Sequence, residues 1–337
     1  MILYLTKPWI QLNKKGWKLV IWDSEEKQER LVPWALIDWI VIFSRIQLTT
    51  DVITTCLREK IPVFFITWNW KYLWKLESLD FKNVEVLYKQ IWCAMNEECC
   101  LKYAKIFIKS KIYNSKVMLQ RWKRLADRKV DINDIVETLN YYLKEIEKVD
   151  NLDSLRWLEW SAAKIYYEGF WRFLRPPFMR TWRSKRPPLD PINALLSLWY
   201  TLLAQTIYMY LQILWLEPQV WFFHKPKNLR SLLVLDVMEM FRSWIVDDLV
   251  LKVIWNGDIV WEDFIIERHS QTPVLLTEDG LRKFIDKYYK FVFKKSTGDY
   301  VLTGEEWAKL KFVEKTLEKF KKSLVDENFE YKWFLLK

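Results

Sequence analysis

A chain of 337 residues is long enough for two domains, each with a core of its own. Its 53 Lys+Arg against 43 Asp+Glu leave a net +10, which favours polyanionic partners, nucleic acid or an anionic membrane face, without choosing between them. No GxxxxGK[ST] loop, no GxGxxG and no elbow-glycine serine pattern is present, so a nucleoside triphosphate is not implied, and MILYLTKPW does not read as a secretory signal.

Residues 1–76 read as mostly strand. Apolar alternation in LYLTKPWIQL and WKLVIW around Asn13-Lys14-Lys15-Gly16 is a hairpin pattern. RLVPWALIDWIVIFS carries further strand, and FFIT precedes a second turn signal at Asn69-Trp70. Thr49-Thr50-Asp51 opens a helix to Lys60, with a threonine hydroxyl available as N-cap. Residues 77–90 read as a linker, and helices follow. Ten Lys/Arg and one acid, Asp127, stand between residues 101 and 130. Lys102, Lys105, Lys109, Lys116 and Lys123 keep helical spacing there, as a solvated face or as a track for phosphates.

Two more helices are expected over residues 131–149 and 153–173. Residues 172–186 then hold six basic residues and no acid, stiffened by Pro176-Pro177 and followed by Pro187-Pro188. Residues 192–216 contain no charge over 25 positions, enough to span a bilayer. Asn193, Ser197, Thr201, Gln205, Thr206 and Gln212 recur through them, so the segment reads as a buried core helix, broken by Glu217-Pro218. A turn at Asn256-Gly257-Asp258 with a short strand follows, then helices over 277–293 and 303–324. Cys56, Cys93, Cys99 and Cys100 form no CxxC pair and are expected as reduced thiols.

His224, one of two histidines, precedes Asp236 and Glu239, which share a helix face; Glu159 lies upstream in another helical stretch. One imidazole with two or three carboxylates suits Mg²⁺ or Mn²⁺ better than zinc, and such ions commonly serve phosphodiester chemistry. The residues alone also allow a packed histidine among aromatics and carboxylates that are solvated or capping.

LEWSAAKIYYEGF, RSKRPPLDPINALLS, the FFH tripeptide and LDVMEMFRSWIVD resemble successive signature blocks of the universal CRISPR-associated spacer-acquisition endonuclease/integrase family; LTKPW, RIQLTTDV and KYLWKL resemble its N-terminal blocks. The resemblance implies an α+β two-domain fold: a small β-rich dimerisation domain over 1–76, a linker over 77–90 and a larger all-α catalytic domain over 91–337. It implies a metal-dependent DNA endonuclease/integrase that inserts spacers into the repeat array, a 3′-hydroxyl attacking a phosphodiester by transesterification. Glu159, His224 and Glu239 match the family's metal ligands for Mg²⁺ or Mn²⁺, with Asp236 as a neighbouring catalytic acid. Lys105, Lys109, Arg183 and Arg186 are expected on DNA. Implied partners are double-stranded DNA (prespacer and CRISPR repeat), a second copy in a homodimer and a second, smaller adaptation protein, in the cytoplasm and off the membrane. The other classes are a transposon-borne integrase relative and a catalytically inactive DNA-binding scaffold. His269 lies outside every block and reads as structural or exposed.

The chain has 22 Trp and only 6 Gly, where ordinary usage gives about 24 Gly. Trp70, Trp74, Trp157, Trp160, Trp199, Trp215 and Trp221 stand where the resembled family commonly has glycine, as does the tryptophan of LTKPW, Trp9. This is the pattern expected if the gene uses UGA as a glycine codon and tryptophan was written in translation; the alternative is a tryptophan-rich protein.

Overall fold

The computed structural model describes residues 2–5, 9–37, 39–42, 45–66, 72–78, 84–126, 129–178, 188–224, 231–266, 274–277, 279–284, 287, 308–326, 328–329, 331 and 334–336. The chain divides into two compact units, Met1–Val84 and Glu85–Val292 with Lys309–Lys337. The first is β-rich and the second mostly helical.

In the first unit, β1 (Ile2–Leu5), β2 (Ile10–Lys15), β3 (Lys18–Asp23), β4 (Gln28–Pro33), β5 (Trp39–Ile42), β6 (Ile46–Leu48), β7 (Val63–Ile66) and β8 (Tyr72–Leu76) form two four-stranded sheets. Their orders are β1-β5-β7-β8 and β4-β3-β2-β6. Pairing of β2 with β3 runs up to Lys15 opposite Lys18, so the turn is Gly16-Trp17 and Asn13 to Lys15 belong to the strand. This corrects the longer turn read from the sequence. Gly16 has φ 57°, the left-handed backbone that a two-residue hairpin favours at its first position. Leu3, Leu5, Ile10, Leu12, Leu19, Ile21, Ile40 and Val63 form one apolar cluster, which Val52 and Cys56 of α1 (Thr50–Arg58) join. Thr49 precedes α1 but does not cap it: its hydroxyl donates to the Leu12 carbonyl at 3.3 Å, tying the helix start to β2. Asn69-Trp70 lies outside the described residues.

The second unit is built on α2 (Val84–Met95), α3 (Glu97–Leu125), α4 (Asn133–Lys148), α5 (Leu152–Trp171), α6 (Pro191–Ile213), α7 (Leu232–Met238), α8 (Asp248–Trp255) and α9 (Ala308–Val325). Residues 84–90 are therefore helical where a linker was expected, because the apolar spacing of α2 begins at Val84. α2 and α3 meet at Asn96, whose side chain accepts from the Cys99 amide at 2.9 Å. In an unbroken helix Cys93 and Cys99 would stand about 9 Å apart along the axis. The break brings their Cα atoms to 5.2 Å and a disulfide joins them, which corrects the expectation of four reduced thiols. Cys56 and Cys100 are free and buried.

α3, α4 and α5 pack together around Trp122, Leu119, Leu139 and Phe170. A Cβ on Gly169 would lie 3.1 Å from Ile135 and 3.2 Å from Leu119, so glycine permits this close helix approach. α6 is opened by Asp190, whose carboxylate accepts from the Asn193 amide at 2.9 Å, followed by Pro191 at its first turn. It is the one helix among the described residues long and apolar enough to cross a membrane, and 67% of its apolar window is buried. The helix stops at Leu214, three residues before Glu217-Pro218. Trp215 takes φ 64°, and the Leu216 amide donates back to the Leu211 carbonyl at 2.9 Å. That is a Schellman stop, with tryptophan where glycine is usual. β9 (Phe264–Ile265) and β10 (Leu275–Leu276) add a short antiparallel ribbon to this unit.

Candidate metal centre

The loop carrying His224 is anchored before it reaches the site. Phe222 is fully buried against Tyr103, Phe107 and Phe320. Arg156 on α5 donates twice to the Phe223 carbonyl, at 2.8 and 3.1 Å, and the Cys100 thiol sits 2.9 Å from the Phe222 carbonyl. The decisive latch is Asp236 on α7, which is 0% exposed. Its Oδ2 accepts from the Phe222 and Phe223 amides at 2.8 and 3.0 Å. Its Oδ1 takes the His224 amide at 3.1 Å and lies 2.5 Å from His224 Nδ1. With its oxygens so engaged, Asp236 orients the imidazole, leaving Nε2 as the free coordinating atom. Burial lowers the His224 pKa, but the Asp236 hydrogen bond and charge outweigh it and the net shift is upward.

One helical turn beyond Asp236, Glu239 ends α7 and is 6% exposed. Arg242 donates to its Oε1 at 2.7 Å, and Lys111 lies 2.6 Å from Oε2. Oε2 is buried, with the Lys111 ammonium as its ionic partner. Lys111 also pairs with Glu159 from the second turn of α5. Burial opposes the charge on Glu239, yet Arg242, Lys111 and His224 together hold its carboxyl far below the usual carboxylate range. Burial likewise opposes charge on Lys111, and Glu159 with Glu239 more than restores it. A cavity of about 50 Å³ adjoins the cluster, lined by Lys111, Glu159, Tyr166, Tyr167, Arg242 and Asp247 among others. The chain widens there into a π-helical turn, Arg242–Asp247, an irregularity often found at functional sites.

Glu159 and Glu239 thus converge on one ammonium group, and His224 is close enough for both Glu239 and Lys111 to act on its charge. Among the described residues no three His, Cys, Asp or Glu side chains stand ready as a closed cage. The donor chemistry nevertheless fits a hard divalent ion: two carboxylates that share one ammonium, and an imidazole oriented by a buried acid. Lys111 stands where that ion would neutralise the acids. Trp160 is 63% exposed and does not line the adjoining cavity.

The expected DNA residues are placed differently. Lys105 donates to the Glu147 carbonyl at 3.2 Å, and Lys109 pairs with the Glu147 carboxylate. Lys116 and Lys123 each donate at 3.0 Å, to Asn140 and Asn133. The stripe therefore lies along the seam between α3 and α4. Arg183, Arg186 and His269 lie outside the described residues. Lys111, Arg156 and Arg242 are the site residues that spacing missed. Lys111 follows Lys109 by two positions, about 200° around the helix from the stripe, and is buried among apolar neighbours. A lone cation on the apolar face was the available signal.

A β-rich unit is joined to a helical one in which Glu159 and Glu239 from separate helices meet beside the loop histidine His224. The family model for "CRISPR associated protein Cas1" matches residues 3–290, and the chain belongs to the Cas1 family. It is 29% identical over 312 residues to "CRISPR-associated endonuclease Cas1 1" of Chlorobaculum tepidum, covering 91% of this chain and 90% of that protein. It is 32% identical over 292 residues to a "CRISPR-associated exonuclease Cas4/endonuclease Cas1 fusion" of Geobacter sulfurreducens, covering 84% of this chain but only 51% of the fusion. Among solved structures, a "Partial Cas6-RT-Cas1--Cas2 complex" chain superposes with a TM-score of 0.78 at 21% identity, covering 99% of this chain and all of that one. A "Casposase bound to integration product" gives 0.68 at 23%, covering 98% and 92%. These two show the shared fold.

Proposed function

We propose that this chain is a metal-dependent DNA endonuclease/integrase of CRISPR adaptation, which joins a DNA 3′-hydroxyl to a phosphodiester of the repeat array by transesterification. Membership in a family whose relatives are named endonucleases supports the enzyme class. The observation that carries the mechanism is the convergence of Glu159 and Glu239, from separate helices, on a single cationic point beside an oriented His224.

Glu159, Glu239 and His224 Nε2 are the groups that would hold Mg²⁺ or Mn²⁺, and a bound ion would polarise the scissile phosphate and offset charge on the departing oxygen. Asp236 holds the imidazole and its loop in place for that task. Arg242 keeps Glu239 ionised and fixed from the other side. Exchange of one phosphodiester for another conserves the bond type, so no nucleotide cofactor is needed.

The substrates are double-stranded DNA, as prespacer and as repeat, and phosphate contacts spread over a basic chain supply most of the affinity. Residues 1–76 serve as the homodimer domain, the catalytic part begins with α2, and a second, smaller adaptation protein bridges the homodimer in the cytoplasm. The test is nicking and strand transfer on branched DNA with Mn²⁺ or Mg²⁺. Glu159→Ala is expected to abolish turnover and to leave DNA affinity within a few-fold; full activity in that variant, or full activity in excess chelator, overturns the proposal.

A further inference from the structure

Lys111 brings to this site a cation that the proposed chemistry does not use. Two carboxylates held together in a poorly solvated place repel one another, and one of them, Glu239, is 6% exposed. The fold supplies its own neutraliser: Lys111 on α3 is 8% exposed and touches Glu159 on α5 and Glu239 at the end of α7. A divalent ion needs the same carboxylate oxygens, so the ammonium and the metal exclude one another. Lysine suits such an exchange, being a compact charge on a flexible four-carbon stem. The adjoining cavity of about 50 Å³ is lined by Lys111 itself and by Asp247 among others. It has room for roughly one water-sized group, and the Asp247 carboxylate, which accepts from Tyr166 and Tyr200, lends it negative charge.

We propose that Lys111 is a resident counter-ion: it holds Glu159 and Glu239 together while the metal is absent, and swings into the adjoining cavity when a divalent ion takes its place. Resting on the metal reading above, this makes the empty site stable at the expense of metal affinity. Lys111 is then a positioning residue and a competitor of the cofactor. A merely structural lysine behaves in the opposite way, because its loss would loosen the ligands and weaken binding.

The experiment is calorimetric titration of Mn²⁺ into the chelator-treated full chain, with thermal melts at zero and saturating Mn²⁺. Lys111→Met is expected to bind Mn²⁺ at least about tenfold tighter than the unsubstituted chain, equivalent to 1.4 kcal/mol. It should also melt lower without Mn²⁺, with the gap narrowing at saturation. If the unsubstituted chain binds Mn²⁺ and Lys111→Met binds it equally or more weakly, the counter-ion inference alone falls. If neither binds, the metal reading falls and this inference with it. If only Lys111→Met binds, the competition is stronger than tenfold and the inference stands. Should Lys111→Met not fold without metal, Lys111→Gln removes the charge while keeping a donor, and the same readouts apply.

Discussion

Asp236 and His224 are joined twice, the carboxylate Oδ1 lying 3.1 Å from the His224 backbone nitrogen and 2.5 Å from its ring Nδ1. One buried acid therefore fixes both where the loop runs and which ring nitrogen is left for coordination. Asp236→Asn keeps the shape and loses the charge. It is expected to weaken Mn²⁺ binding by about 10–100-fold, the usual effect of losing a group that orients a metal-bound histidine; titration calorimetry checks this. Asp236→Ala deprives three amides, two of them buried, of their acceptor and is expected to cost about 3 kcal/mol or more in a urea melt. An Asp236→Asn protein with unchanged Mn²⁺ affinity would show that His224 is not held for a metal.

How much of this was legible beforehand depended on the kind of contact. The β2–β3 hairpin is visible as alternation, but Asn13 resembles a turn residue and draws the expected turn too early, whereas pairing continues to Lys15. α6 was readable as core because its polar residues recur without charge. Glu159, His224, Asp236 and Glu239 were placed through family blocks, since residues up to 80 positions apart in sequence carry no periodicity linking them. Lys111 was hidden because charge counting treats all lysines alike, and only packing tells a buried ion from a solvated one. The Cys93–Cys99 disulfide was missed for a related reason: it exists only because the helix breaks at Asn96.

A second buried acid sets the acid limb of stability. Asp248 is 4% exposed and accepts from Trp122 at 3.0 Å, Lys252 at 2.8 Å and Lys309 at 3.2 Å. Burial raises its pKa, but Lys309, Lys252 and the Trp122 hydrogen bond outweigh it and the net shift is downward. The unfolded chain thus binds this proton more readily. Its stabilisation is fully present above the unfolded value of about 4 and is lost as pH falls through the folded one. Asp248→Asn is expected to flatten the acid limb of a Tm-versus-pH curve below about pH 4. Lys309, pulled down to about 8 by burial, has the same slope from the opposite cause: its buried charge costs stability while protonated, and stability from this group rises with pH between that value and the unfolded one.

Trp9 and Trp215 sit at φ 63° and 64°, the left-handed region that bulky residues avoid at a cost of about 1–2 kcal/mol each. Both are backbone positions that favour glycine, as the resemblance implies, and Trp215 fills the glycine place of a Schellman stop. Trp9→Gly and Trp215→Gly are expected to leave stability unchanged or raise it by about 1 kcal/mol in denaturant melts. Trp122, fully buried against Phe170 and Phe173, is the contrast: truncating it to alanine is expected to cost about 3–5 kcal/mol. Trp199 is likewise fully buried, its ring centroid 4.2 Å from that of Phe284. The gene decides the matter, since UGG codons at positions 9, 70, 160, 215 and 221 would remove the glycine reading.

The lysine stripe makes a quantitative test of DNA binding. If Lys105 and Lys109 each contacted a phosphate freely, the Lys105→Ala/Lys109→Ala double variant would lower the slope of log K against log salt by about 2. Lys109 is already paired with the Glu147 carboxylate, whereas Lys105 donates only to the Glu147 backbone carbonyl, which carries no net charge. The expected fall is therefore about 1, supplied by Lys105. Glu147→Gln in the unsubstituted chain removes a negative charge beside Lys105 and Lys109 and should steepen the slope. Filter binding across 50–200 mM salt reads both. Slopes unchanged in the two proteins would make the α3–α4 seam a structural joint, with DNA held elsewhere on the chain.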